Sequence, residues 1–163
     1  MEKSEAARGP DSHLLFLSHA GADTDAAQAL AERIESTPEA RTRGLKVWFD
    51  KKDLEPGKGW QEQLERALQQ DSTAFAVYVG STGVINWVDS EVRVALCRAR
   101  VDPDYPFIPI LSKQCSGSEA LPAFVRQYQA VTDVENNPDE LAKLIRAVTR
   151  QDRRSKEIGR AHV

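Results

Sequence analysis

His13-Leu14-Leu15-Phe16-Leu17-Ser18 is a short, unbroken apolar run, and the residues after it, His19-Ala20-Gly21-Ala22-Asp23, are mostly small. A continuous run of this length suits a strand covered on both faces. Apolar residues then return at helical spacing as Ala27, Leu30, Ala31 and Ile34, with Asp23 placed to cap the helix. The same order repeats down the chain. Leu45 to Phe49 reads as a second strand, followed by a loop, Asp50 to Gly59, in which Pro56-Gly57 favours a type II turn. Trp60, Leu64, Ala67 and Leu68 mark the next helix, and their shared spacing makes Trp60 a core residue rather than a stacking one. Thr73 to Val79 (TAFAVYV) is a central strand that leads into a third helix. Pro106 to Leu111 is a fourth strand, against which Pro109 counts because it removes a ladder donor. Leu121 to Phe124 reads as a short helix and Gln129 to Asp133 as a weak fifth strand. Asn137-Pro138-Asp139-Glu140 opens a last helix whose apolar stripe is Leu141, Leu144, Ile145 and Val148. Strands alternating with helices predict a parallel sheet covered on both faces. Ligands of such sheets bind beyond the carboxyl ends of the strands, where the loops after Ser18, Phe49 and Val79 all lie.

Bulk properties narrow the function. A chain of 163 residues suits one domain with a single core. Its formal net charge of -3 offers no general attraction for nucleic acid. No apolar run approaches membrane-spanning length and no signal-peptide pattern opens the chain, so a cytoplasmic protein with no membrane partner is expected. Cys97 and Cys115 form no metal or redox motif, and His13, His19 and His162 are scattered, so no metal site is expected.

The stretch Ile85-Asn86-Trp87-Val88-Asp89-Ser90-Glu91-Val92 opens the third helix and carries the chemistry. Val88, Val92, Ala95, Leu96 and Ala99 recur as the core stripe. Trp87 and Glu91, four residues apart, fall on the neighbouring stripe at the rim of that core. An aromatic wall beside a carboxylate is a floor for a polar ligand that contains a ring. A surface salt bridge is the plain alternative for Glu91, but Val94 and Ala95 stand three and four residues on, and Arg93 does not face it.

Three blocks together resemble the Toll/interleukin-1 receptor (TIR) domain of bacterial proteins. Phe16-Leu17-Ser18-His19-Ala20 is similar to the first TIR box, and Val47-Trp48-Phe49-Asp50 with Leu54-Glu55-Pro56-Gly57 to the second strand and its long loop. Trp87-Val88-Asp89-Ser90-Glu91 resembles the motif of TIR domains that cleave NAD. The resemblance spans about residues 13 to 150. It implies a flavodoxin-like, three-layer α/β domain with a five-stranded parallel sheet in the order 2-1-3-4-5. It also implies that NAD+ or NADP+ is a substrate rather than a cofactor, and that other TIR domains are partners in self-assembly.

The chemistry stands beside the resemblance. Breaking the ribose–nicotinamide bond expels a neutral group from a cation, so no general acid is needed, unlike ordinary glycoside cleavage. One carboxylate can stabilise the oxocarbenium-like centre and hold its hydroxyls, the role assigned to Glu91. Trp87 would pack beside the ribose or the ring, though it suits a core-edge aromatic equally. Ser18 and His19 would line the pocket from the first loop, where His19 also fits as a plain polar loop residue. Asp50 and Glu55 would reach substrate from the second loop, with Leu54, Pro56 and Gly57 shaping its closure or its contact with a neighbouring TIR domain. Lys51 and Lys52 read as solvated.

Other readings fail on residues. Pro56-Gly57-Lys58-Gly59 lacks the spacing and the following Ser/Thr of a phosphate loop. Gly80-Ser81-Thr82-Gly83 is no dinucleotide fingerprint, and Tyr78-Val79-Gly80 stands where a receiver domain needs an aspartate. A TIR domain that assembles and signals without catalysis is the competing function, since fold alone does not decide it. Residues 1 to 12 read as a disordered lead-in and 151 to 163 as a tail. Glu157 to Val163 resembles an in-frame translation of a sequencing adapter, from which a natural chain continuing past about residue 156 into a sensor or oligomerising module is expected.

Overall fold

The computed structural model describes residues 12–19, 23–49, 59–80, 90–113, 115 and 127–149. Five strands form one parallel sheet: β1 (His13–His19), β2 (Leu45–Phe49), β3 (Ala74–Val79), β4 (Phe107–Leu111) and β5 (Val131–Thr132). Their order is β2-β1-β3-β4-β5, as the family resemblance implies. The helices are α1 (Thr24–Glu35), α2 (Pro38–Thr42), α3 (Trp60–Arg66), α4 (Ser90–Val101) and α5 (Pro138–Val148). A π-helical turn, Ala67–Asp71, continues α3 and closes with Ser72 N donating to the Ala67 carbonyl.

Side-chain alternation along the strands sorts the core into two faces. Leu15, Leu17, Val47, Ala74, Ala76 and Ile110 lie under α1, α2 and α5, against Leu30, Ile34, Leu144 and Val148. Phe16, Phe75, Val77, Val79 and Phe107 lie under α3 and α4, against Leu64, Leu68, Val92 and Ala95. This is a three-layer sandwich. The second face carries a row of rings aligned by strand register. Phe16 stacks on Trp48 at 4.8 Å and on Phe75 at 5.5 Å, and Phe75 on Phe107 at 5.2 Å. Phe107 then meets Tyr128 at 5.1 Å. Such pairs contribute about 0.5–1.5 kcal/mol each beyond area burial.

Pro109 sits inside β4 after all, and the ladder explains why it is tolerated. Ser112 N donates to the Val79 carbonyl, whereas the Leu111 carbonyl accepts from Asp133 N. Odd-numbered residues of β4 therefore turn their backbone toward β5, and β5 starts only opposite Ile110. The donor that Pro109 lacks would point where no partner strand has begun. The fifth strand is correspondingly short, two residues instead of the five read from sequence.

Both edge strands have an outward amide taken by a carboxylate, which blunts the edges. Glu35 Oε2 accepts from Val47 N at 2.7 Å, and Glu140 Oε1 from Thr132 N at 2.8 Å. The hydrogen-bonded Lys143 ammonium, helped by the Thr132 amide, holds the Glu140 carboxyl below its usual range. Asn137 caps α5 as expected, accepting from Asp139 N at 3.1 Å. Helix α2 was not foreseen, although Thr37-Pro38 carries its signature: Thr37 Oγ1 accepts from Ala40 N and Pro38 opens the first turn. Gly44, at φ 65, supplies the left-handed turn into β2. Among the described residues no helix is long and apolar enough to cross a membrane. The short helix read at Leu121 to Phe124, the side chain of Trp60, the tail and all of the lead-in but Ser12 fall outside the described residues.

Phe75 is fully buried and stacked on both sides. Phe75→Ala should destabilise the domain by about 3–5 kcal/mol, and Phe75→Leu by clearly less, as read by the midpoint of urea unfolding.

Candidate functional site at the carboxyl edge

The strands β1 to β4 end together at Ser18-His19, Phe49, Val79-Gly80 and Leu111-Ser112. Alternation sends the two residues singled out at the end of β1 to opposite faces. Ser18 is buried and follows Phe16 onto the α4 side. His19 lies on the α1 side, its ring stacked on Phe49 at 5.0 Å, and it is the cross-strand partner of Tyr78. Helix α4 starts at Ser90, so the backbone of Glu91 stands in its first turn. The same helix buries Val92, Ala95 and Leu96 against the face that carries Ser18. Ser18 and the helix of Glu91 thus share one side of the sheet, and His19 stands across it. Trp87, Asp50, Leu54, Glu55, Pro56 and Gly57, together with the side chain of Glu91, lie outside the described residues.

Asp23 departs from its expected role. It occupies the position before α1, but its side chain makes no capping bond. With φ -103 and ψ 15 its backbone is not extended as a capping residue usually is, and the carboxylate turns toward β3 instead. It lies on Gly80 so closely that a Cβ built there would meet Asp23 Oδ1 at 2.1 Å and Oδ2 at 2.5 Å. Only glycine leaves this room at the end of the central strand.

Tyr78, two residues earlier on the same face, donates its hydroxyl to Glu135 Oε2 at 2.5 Å. Burial first, then the bond to Glu135 and the charges of Glu135 and Asp23, push the phenol well above its ordinary 10.0. Glu135 is itself tied to α1, because Arg33 Nη1 donates to its backbone carbonyl. The loop that carries it is bent by Asp133, at φ 51, whose side chain accepts from Asn136 Nδ2 at 2.9 Å. Sequence reasoning passed over Tyr78, Gly80, Ser112 and Glu135. The available signal was a tyrosine followed within two residues by glycine at the end of an otherwise apolar strand. Among the described residues no group of three or more His, Cys, Asp or Glu gathers as a metal site.

A family model of the TIR domain matches residues 15–146. The chain belongs to the TIR domain family. A search of curated proteins finds no match. Among solved structures, the TIR domains of the activated Roq1 resistosome that directly recognises the pathogen effector XopQ are similar to this chain in fold. The TM-score is 0.58 at 14% identity, over 86% of this chain and 99% of that one. In this TIR domain the carboxyl edge therefore has two sides, one served by α4 and Ser18, the other by Asp23, Tyr78 and Glu135.

Gly80→Ala should cost about 1–3 kcal/mol by overpacking against Asp23. In an Asp23→Ala background the same change should be close to neutral, a coupling that a double-mutant cycle on chemical unfolding measures. Tyr78 gives a pH signature as well. Its phenol keeps its proton in the folded state to higher pH than in the unfolded chain. Stability should hold its plateau below about pH 10 and fall as pH rises beyond it, because only the unfolded chain then releases that proton. Tyr78→Phe should flatten part of that fall, even though Tyr105 is raised by burial too.

Proposed function

We propose that this TIR domain cleaves NAD+ at the ribose–nicotinamide bond, with Glu91 as the catalytic carboxylate. The observation that carries the reading is the position of Glu91 in the first turn of α4, at the carboxyl edge and on the face that holds Ser18. The C1′–N bond breaks with its electron pair going to nicotinamide, which leaves neutral. Positive charge builds on C1′ and the ring oxygen, and a carboxylate beside it stabilises that centre while accepting hydrogen bonds from the ribose hydroxyls. Water captures the centre and releases a proton, giving ADP-ribose; capture by an adenine nitrogen gives a cyclic product instead. Ser18 lines the pocket from β1, and Trp87 stands beside the ribose or ring. Asp50 and Glu55 contribute from the second loop, and His19 from the very end of β1, where it stands on the α1 side stacked on Phe49. NADP+ is a substrate of the same chemistry.

Assembly is part of the proposal. The similar TIR domains belong to an assembled resistosome, and we read Leu54, Pro56 and Gly57 as the loop through which neighbouring TIR domains meet. The domain would act as the effector part of an immune or antiphage signalling protein in the cytoplasm. The alternative, an assembling TIR module that signals without catalysis, keeps the fold and drops the chemistry.

The purified protein, at high concentration with a crowding agent, should release nicotinamide from NAD+. Glu91→Ala should lower the rate by about 10²–10³ or more while leaving assembly intact, with the product peak separating hydrolysis from cyclisation. No turnover by an assembled wild-type protein would favour the non-catalytic module.

A further inference from the structure

At the amino edge of the sheet, where α4 ends, one side chain ties its last turn to three other parts of the fold. Arg98 Nη1 donates to the Leu68 carbonyl at 2.7 Å and to Ser72 Oγ at 3.5 Å. Its guanidinium lies over the Tyr105 ring, 3.9 Å from the centroid. Ser72 and Tyr105 are buried, and their hydroxyls share a hydrogen bond of 2.8 Å. Arg98 thus joins α4 to the π-helical turn and to the chain entering β3 and β4.

The π-helical turn makes the first of these bonds available. In an α-helix the Leu68 carbonyl would accept from Ser72 N, four residues on. Here Ser72 N passes it over and donates to the Ala67 carbonyl, and Thr73 N, the next amide, donates to the Leu14 carbonyl in β1. The Leu68 carbonyl is left to side chains, the Ser72 hydroxyl at 3.4 Å and the Arg98 guanidinium. Leu68 is buried, so its carbonyl needs a partner, and a charged donor makes the stronger bond.

Helix geometry carries this anchor to the other end of α4. Glu91 stands seven residues before Arg98, so the two backbone positions fall on one stripe, about 20° apart in angle and about 10 Å apart along the axis. Val92, Ala95 and Leu96 bury the neighbouring stripe against the sheet, but apolar contact is not directional and tolerates small slides and rolls. A hydrogen bond with a planar stack does not. We infer that Arg98 is a positioning residue for Glu91: locked to Leu68 and Tyr105 at the amino edge, it sets the roll and height at which the first turn of α4 meets the carboxyl edge. This rests on the reading of Glu91 as the catalytic carboxylate.

Two readouts on the full chain test it, at a temperature where circular dichroism shows each variant folded. Arg98→Ala should lower kcat for NAD+ about 10–100-fold with KM little changed. Arg98→Lys should recover part of that loss, since it keeps the charge and a donor but not the plane that stacks. Arg100→Ala, which removes an exposed charge from the same turn, should keep the wild-type rate. Amide NMR needs no turnover: Arg98→Ala should move the resonances of Ser90, Glu91 and Val92, and Arg100→Ala should not. Wild-type kcat in folded Arg98→Ala, an equal loss in Arg100→Ala, or first-turn amides that stay in place would overturn the inference. If Arg98→Ala does not fold, Arg98→Lys is read by the same two measures, with wild-type values in both as the contradicting result. An inactive wild type would count against NAD+ cleavage instead, and the amide shifts alone would then decide whether Arg98 sets the start of α4.

Discussion

Phe16 is the residue on which the rest of the domain is built. It lies at the centre of β1, pairs in register with Trp48 on one side and Phe75 on the other, and stacks on both rings. A parallel strand cannot slip by one residue without moving every ring to the wrong face. The aromatic row therefore fixes three strands at once, and Phe107 extends the lock to β4. The opposite face is built differently. There Ala74 and Ala76 leave room for α1 and α5 to close on the sheet with Ala27, Leu30 and Ile34.

That register decides what the carboxyl edge offers. Strand alternation deals successive residues at the ends of β1, β2 and β3 to opposite sides, so Ser18 and His19 separate. The α4 side receives Ser18 and the helix start that bears Glu91. The α1 side receives a denser polar cluster in which Asp23, Tyr78 and Glu135 tie α1, β3 and the loop after β5 together. Gly80, at the end of β3, gives Asp23 its seat.

Much of the fold was legible because it rests on local signals. The unbroken apolar run from His13 to Ser18, the helical stripe Ala27, Leu30, Ala31 and Ile34, and the Asn137-Pro138 helix start each specify an element from a few neighbouring residues. What escaped depends on distant partners. Asp23 looks like a cap in sequence, and only the presence of Gly80, more than fifty residues on, shows where its carboxylate goes. Pro109 argued against a strand until the short reach of β5 showed that its missing amide faces no partner. Glu135 had no local reason to attract notice, since its role arises from Tyr78 and Arg33, which the topology brings to it. On the candidate site, Glu91 stood out because its local partners are missing. The division of Ser18 from His19 follows from strand alternation once β1 runs through His19, which reads as a loop residue in sequence.

The central claim is that the α4 side of the carboxyl edge is where NAD+ binds. Amide NMR of the isotope-labelled domain, titrated with a non-cleavable NAD+ analogue, tests it most directly. The account predicts perturbations concentrated at Ser18, Gly80 and the first turn of α4, with Thr73, Tyr105 and Gly44 at the opposite edge unmoved. Perturbations centred on that opposite edge, or none at saturating analogue with the protein assembled, would contradict it.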